Sequence, residues 1–259
     1  MESRDLDIGY VFEKTFGVIG QKFSELAILS VILVGVPNLI LTWLSSQWLE
    51  QAVASGSAFS AFSPGFLIMN FLVGLLPLLL QAAVVHTTVE TLSHRPSDVG
   101  SSLSVALSVF LPLILLSILL SVAYGIAFLL LIVPGLILMT FWAVAVPAFV
   151  AERTGIIGAL SRSTALTEGQ RWRIFGLMVL AFIALTIAGF VIGLFSFGAM
   201  GATQSYETFG TFSLWGALLN SVLAMASGVV GAVGVSVLYV HLRDIKEGTS
   251  LDTIGDVFR

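Results

Sequence analysis

Six long apolar runs carry no charged residue in their middles, and they decide what this chain can become. They cover about Glu25 to Trp48, Phe66 to Leu92, Leu111 to Leu131, Gly135 to Ala151, Ile174 to Met200 and Leu214 to Tyr239. The shortest has seventeen uncharged residues, Gly135 to Ala151, which as a helix rises about 25 Å against a hydrocarbon core of ~30 Å. Hydrocarbon offers the backbone no water, so such runs are expected to be helices that bond their own peptide groups. With 57% hydrophobic and 10% charged residues, against about 25% charged in ordinary soluble domains, no water-soluble packing hides this surface. The runs predict an all-α membrane protein with six transmembrane helices in three hairpins, each preceded by a short amphipathic interfacial helix. Residues 1–259 then form a single integral membrane domain. It comprises an amphipathic N-terminal helix (1–23), a six-span bundle (24–242) and a cytoplasmic tail (243–259).

The amphipathic pieces are read from spacing. Phe12, Phe16, Ile19 and Phe23 recur every three or four residues, one apolar helical stripe. Asp98 to Val109 is a second such piece, and the segment holding Glu152, Arg153, Arg162, Glu168, Arg171 and Arg173 is a third. Ile8-Gly9, Val99-Gly100 and Ile157-Gly158 open all three, a weak sign of an internal repeat. Val133-Pro134-Gly135 is expected to turn the third span into the fourth. Pro147 withholds a backbone donor from Ala143, so a kink is expected near the charged end of the fourth span. Ala52-Val53-Ala54 imitates a signal-peptidase site, but the run before it exceeds a signal segment of about 7–15 apolar residues. It is read as a retained span.

Orientation follows from charge. All eleven Lys and Arg residues fall in the N-terminal segment, the second and fourth connections or the tail. The other three connections hold only Glu50 and Glu207. The positive-inside rule therefore predicts both termini in the cytoplasm and an even number of spans.

Two patches carry a resemblance. The first is Pro134-Gly135, an apolar run, Pro147, Glu152, Ala159-Leu160, Ser163, Gly169 and Trp172-Arg173; the second is Tyr239, Leu242, Arg243, Glu247 and Gly248. Together they resemble the membrane domain of glycerophosphoryl diester phosphodiesterases, and bacterial inner-membrane proteins made of that domain alone. His241 stands where that pattern has an acidic residue. In the phosphodiesterases catalysis belongs to a separate soluble barrel, so the resemblance implies a membrane part without its enzyme, in a bacterial inner membrane.

No phosphate-binding glycine loop, HExxH, G-x-S-x-G or carboxylate pair occurs, so no catalytic residue and no cofactor is expected. His86, Glu90 and His94 recur every four residues near the end of the second span, with His241 ending the sixth. That set could bind a metal or relay protons, but residues where a helix emerges into water look the same, and no metal is assigned. Asn38, Asn70, Gln81 and Asn220 lie within spans, where amides usually bond across helices. Ala224, Gly228, Ala232 and Ser236, with Gly189 and Gly193, form small-residue ridges that predict close packing of spans five and six. Arg171, Trp172 and Arg173, with Arg162 nearby, form a candidate site for lipid headgroups, because guanidinium groups bind phosphate bidentately and indole settles at headgroup depth.

The net charge of −4 argues against a nucleic-acid partner. The expected partners are membrane lipids, including anionic ones, and a membrane protein or a second copy of the chain. The leading functional expectation is a non-enzymatic membrane-organising or accessory component. A small-solute or lipid transporter, which the broken fourth span would suit, is the alternative. An embedded enzyme using the His86/Glu90/His94 stripe is the third.

Overall fold

A computed structural model describes residues 6–54, 63–201 and 214–248. The expected loop 49–65 is shorter, because α3 runs to Ala54 and α4 starts at Pro64; residues 55–62, the expected loop beyond Gly201 and the tail beyond Gly248 lie outside the described residues. Ten α-helices follow in order: α1 Ile8–Gln21, α2 Phe23–Ser30, α3 Val36–Ala54, α4 Pro64–Leu92, α5 Val99–Leu130, α6 Ile132–Phe141, α7 Ala145–Glu152, α8 Gly155–Thr167, α9 Arg171–Gly201 and α10 Leu214–Glu247. The protein is an all-α membrane protein, with six helical segments long and apolar enough to span a bilayer. α2 and α3 make the first, and α6 and α7 the fourth. α10 runs five residues past the bundle boundary expected at 242, so Arg243 and Glu247 are helical.

The helix starts have a local cause. Asp7 and Asp98 cap α1 and α5, accepting from the backbone N–H of Tyr10 at 3.2 Å and of Ser101 at 2.7 Å, the usual service of an N-cap carboxylate. Hydrogen bonding from the Ser101 side chain, and then from its backbone N–H, holds the Asp98 carboxyl below its ordinary value. A Cβ at Gly9 would lie 3.3 Å from the Asp7 carboxylate, so the Ile-Gly and Val-Gly pairs belong to a capping geometry whose first member is the aspartate. The third piece differs, because Thr154 makes no side-chain cap bond to α8.

Proline and glycine set the breaks. Pro37 follows a π-helical turn over Val31–Gly35, which widens the ladder where the ring would press on the Leu33 carbonyl. The turn between the third and fourth segments falls at Leu131 (φ −164°, ψ 151°), earlier than the expected Val133-Pro134-Gly135. Pro134 sits in the first turn of α6, where its missing donor costs no helical bond. Gly135 is needed for close approach, since a Cβ there would lie 2.6 Å from the Phe128 ring. The fourth segment does break, but at Trp142–Val144, upstream of the expected kink, and Pro147 lies in the first turn of α7. The break is closed from outside: the Ser163 hydroxyl donates to the Phe141 carbonyl at 2.9 Å and accepts from the Val144 N–H at 3.3 Å.

Three expectations about faces change. Val11, Thr15 and Val18 form the buried face of α1, whereas Phe16 and Phe23 point outward. The expected stripe is split, with Phe12 and Ile19 packed against the core and Phe16 and Phe23 left outside, and the fully buried face is smaller and partly polar, with Gly234 of α10 beside Thr15. The second amphipathic piece is continuous with its span, as α5 runs unbroken for 32 residues. Its buried residues, Ser102, Ala106, Val109, Leu113, Leu116 and Leu120, form one stripe through the whole helix. The ridge on α10 faces α4, where Gly228 lies beneath Leu80, and among the described residues nothing lies within 4 Å of a Cβ at Gly189 or Gly193. Asn38 and Asn220 do bond across helices at 3.1 Å, whereas Asn70 returns to its own Phe66 carbonyl.

Candidate functional site

α1, α8, the ends of α4, α7 and α10, and the starts of α2, α5 and α9 gather at one end of the bundle, called here the basic face. Three polar clusters are built there. In the first, Glu152 at the end of α7 accepts from the Tyr239 hydroxyl and from Arg162 Nε, both at 2.8 Å. Arg162 also pairs with Glu247, which accepts from Arg243 Nε at 2.9 Å. Burial opposes the charge on Arg162, but the bonds to Glu247 and Glu152 outweigh it and raise its pKa above the ordinary value. Both patches of the resemblance therefore meet: Glu152, Ser163, Tyr239, Arg243 and Glu247 lie in one network or beside it. Gly169 and Gly248 have φ of +81° and +64°, conformations that disfavour any side chain.

The second cluster surrounds Glu25, which no motif had singled out. Its carboxylate accepts from Thr87 at 3.0 Å and Ser102 at 3.2 Å, and pairs with Lys22 at 3.2 Å. His86 joins through Ser102 at 3.3 Å. A glutamate at the mouth of a span, with hydroxyls on the two next helices at matching depth, was the available signal.

The third ties down the N-terminus. Leu6 N–H donates to the Gln170 side chain at 3.2 Å, and Arg173 donates to the Leu6 carbonyl at 3.1 Å.

The His86/Glu90/His94/His241 set does not converge. His86 and Glu90 line a cavity of about 210 Å³ with Arg153. His94 lies past the end of α4 with φ +55°, so it leaves the helix face that the spacing assumed. It lines a different cavity, of about 500 Å³, with Lys14, Asp244 and His241, and His241 stacks on Tyr10 at 4.6 Å. Among the described residues no three His, Cys, Asp or Glu side chains are grouped to hold a metal.

The four candidate lipid residues also part company. Arg162 is committed to Glu152 and Glu247, and Arg173 reaches Leu6. Arg171 lies over the Phe141 ring at 3.8 Å, a cation–π contact. Its buried Nε meets no hydrogen-bond partner among the described residues. Beside it, 86% exposed, stands Trp172. These two residues close one end of an apolar groove of about 350 Å³ between α6 and α9, lined also by Val133, Leu136, Ile137 and Phe175. A separate cavity of about 290 Å³ opens at the break in the fourth segment, lined by Gln81, Ser117, Ser121, Tyr124 and Trp142 among others.

Comparison of the chain with protein-family models, curated proteins and solved structures finds no match.

Proposed function

We propose that this is a non-enzymatic, multi-pass protein of a bacterial inner membrane, with both termini cytoplasmic, that acts as a membrane-organising or accessory component by holding anionic phospholipid. The observation that carries the reading is the pairing of Arg171 with an apolar groove. A phosphate at headgroup depth would meet the guanidinium while an acyl chain lies along α6 and α9, and Trp172 would mark the interface. The resemblance to the membrane domain of glycerophosphoryl diester phosphodiesterases supports the reading, since it implies a membrane part without the catalytic barrel. A membrane-protein partner or a second copy is a further contact that such a component would make.

The test is native mass spectrometry of protein released from nanodiscs of equal phosphatidylglycerol and phosphatidylethanolamine. One exposed cation is worth about 1 kcal/mol toward an anionic leaflet, so Arg171→Gln should lower phosphatidylglycerol retention about fivefold. Arg171→Lys, which keeps the charge but loses the fork, should fall between. Equal retention by all three proteins would leave Arg171 as an orientation signal alone.

One observation favours the transport alternative: the cavity at the break is lined by uncharged polar side chains. Flux of a neutral solute into proteoliposomes, abolished by Gln81→Leu, would select it.

A further inference from the structure

The turn joining α5 to α6 is the least polar part of the chain. Between Tyr124 and Thr140 there is no polar or charged side chain. Leu129, Leu130, Leu131, Ile132 and Val133 at its tip are 63–86% exposed. Connections that reach water normally carry polar or turn-forming residues.

The depth of this tip is bounded by contacts. Phe141, at the lower end of α6, lies against the Arg171 guanidinium. Arg171 is held at the basic face, because its neighbours Gln170 and Arg173 both bond Leu6 beside the Asp7 cap. Charged groups there mark the water boundary, as their cost in mid-membrane is high. From that level α6 rises only ten residues, about 15 Å, half of a ~30 Å core. At the tip, Val133 shares a groove with Trp172 and Phe175, in the first two turns of α9. α9 itself continues to a length of 31 residues, about 46 Å. Helices α6 and α7 together are long enough to cross, but α7 packs along α8 and ends in the basic-face network, with Val144 beside Ser163 and Glu152 beside Arg162 and Tyr239.

We propose that the α5–α6 hairpin is re-entrant: it enters from the basic face, ends near the bilayer midplane, and packs its tip among lipid acyl chains. Helix α5, about 48 Å long, lies steeply inclined to the bilayer normal, so that Ser117 to Tyr124 stay level with Gln81 and Met178. The backbone suits that place. Leu131 alone is non-helical, its N–H donates to the Ala127 carbonyl, and Pro134 removes one donor that the start of α6 would otherwise leave unpaired. Irregular backbone survives in hydrocarbon only when so few groups are left open. Four helical segments remain as full crossings, so both ends of the chain still share a face. The hairpin adds cross-section to one leaflet only, a property suited to a protein that organises membrane, although the inference does not rest on that reading.

The chain has no cysteine, so single cysteines can be placed in the full-length protein without further change. Leu131→Cys and Ile132→Cys would carry a nitroxide in proteoliposomes, with Leu185→Cys on α9 as a mid-bilayer reference and Glu50→Cys near the end of α3, where the native side chain is charged and exposed, as an aqueous one. Two tip positions guard against one that fails to fold. The expected result is collision with oxygen favoured over a nickel chelate as strongly at the tip as at position 185, and no reaction with membrane-impermeant maleimide from either side. A tip ratio matching position 50, or maleimide labelling from the side that labels position 50, would overturn the proposal.

Discussion

Ser163→Ala tests how the broken fourth segment is held. Ser163 is fully buried, and its hydroxyl closes the gap between α6 and α7 by serving Phe141 and Val144 together. The two losses are unequal. The Phe141 carbonyl keeps a second donor in the Thr167 hydroxyl at 3.3 Å, so that side costs little. The Val144 N–H belongs to a fully buried residue and loses its hydroxyl acceptor; an orphaned buried donor costs about 1–3 kcal/mol. The expected destabilisation is therefore about 1–3 kcal/mol, read as a shift in reversible unfolding in mixed detergent micelles. Thr186→Ala is the control, because that exposed hydroxyl bonds only the Phe182 carbonyl of its own helix. It should change stability by less than about 0.5 kcal/mol. Ser163→Ala with Thr167→Val should cost more than the two single changes added, because they share one carbonyl. A Ser163→Ala protein as stable as the control, or strict additivity, would refute the claim that these hydroxyls close the break.

Three more outcomes follow from single residues. Tyr239→Phe removes a bond to the Glu152 carboxylate from a fully buried side chain; it should cost about 1.5–3 kcal/mol, the range for bonds to charged groups, measured by the same titration. Gly135→Ala places a methyl 2.6 Å from the Phe128 ring and should cost about 1–3 kcal/mol by overpacking. Phe128→Ala should rescue it, and failure to rescue would exclude that contact as the cause. Gly169→Ala imposes a side chain at φ +81° and should cost about 1–2 kcal/mol, with Gly169→Asn tolerated better because asparagine accepts left-handed backbone.

Much of the architecture was legible in the chain because the bilayer is a severe solvent. Hydrocarbon penalises charge and open backbone alike, so Arg173, Glu152 and Tyr239 had to sit where the apolar runs end. Length and composition then sufficed to count the helices. The glycines and polar residues of the two patches around Pro134–Arg173 and Tyr239–Gly248 were visible too, although nothing in their spacing said that Glu152 and Tyr239 would touch across 87 positions.

What lay beyond reading was which face of each helix meets which neighbour. In a soluble protein apolar residues point inward, and a stripe such as Phe12, Phe16, Ile19 and Phe23 would name the core. In lipid both faces can be apolar, that stripe splits between core and surface, and the small and hydroxyl residues Thr15, Ser102 and Ser236 mark the packed side. Depth was hidden for the same reason: an uncharged run has the same composition whether it crosses or turns back. The hydropathy of each segment is a property of the chain alone. The partner of each helix, the split of the three candidate arginines and the three histidines among separate networks and cavities, and the closing of the fourth segment by Ser163 depend on distances between segments far apart in sequence, and those exist only once the helices have packed.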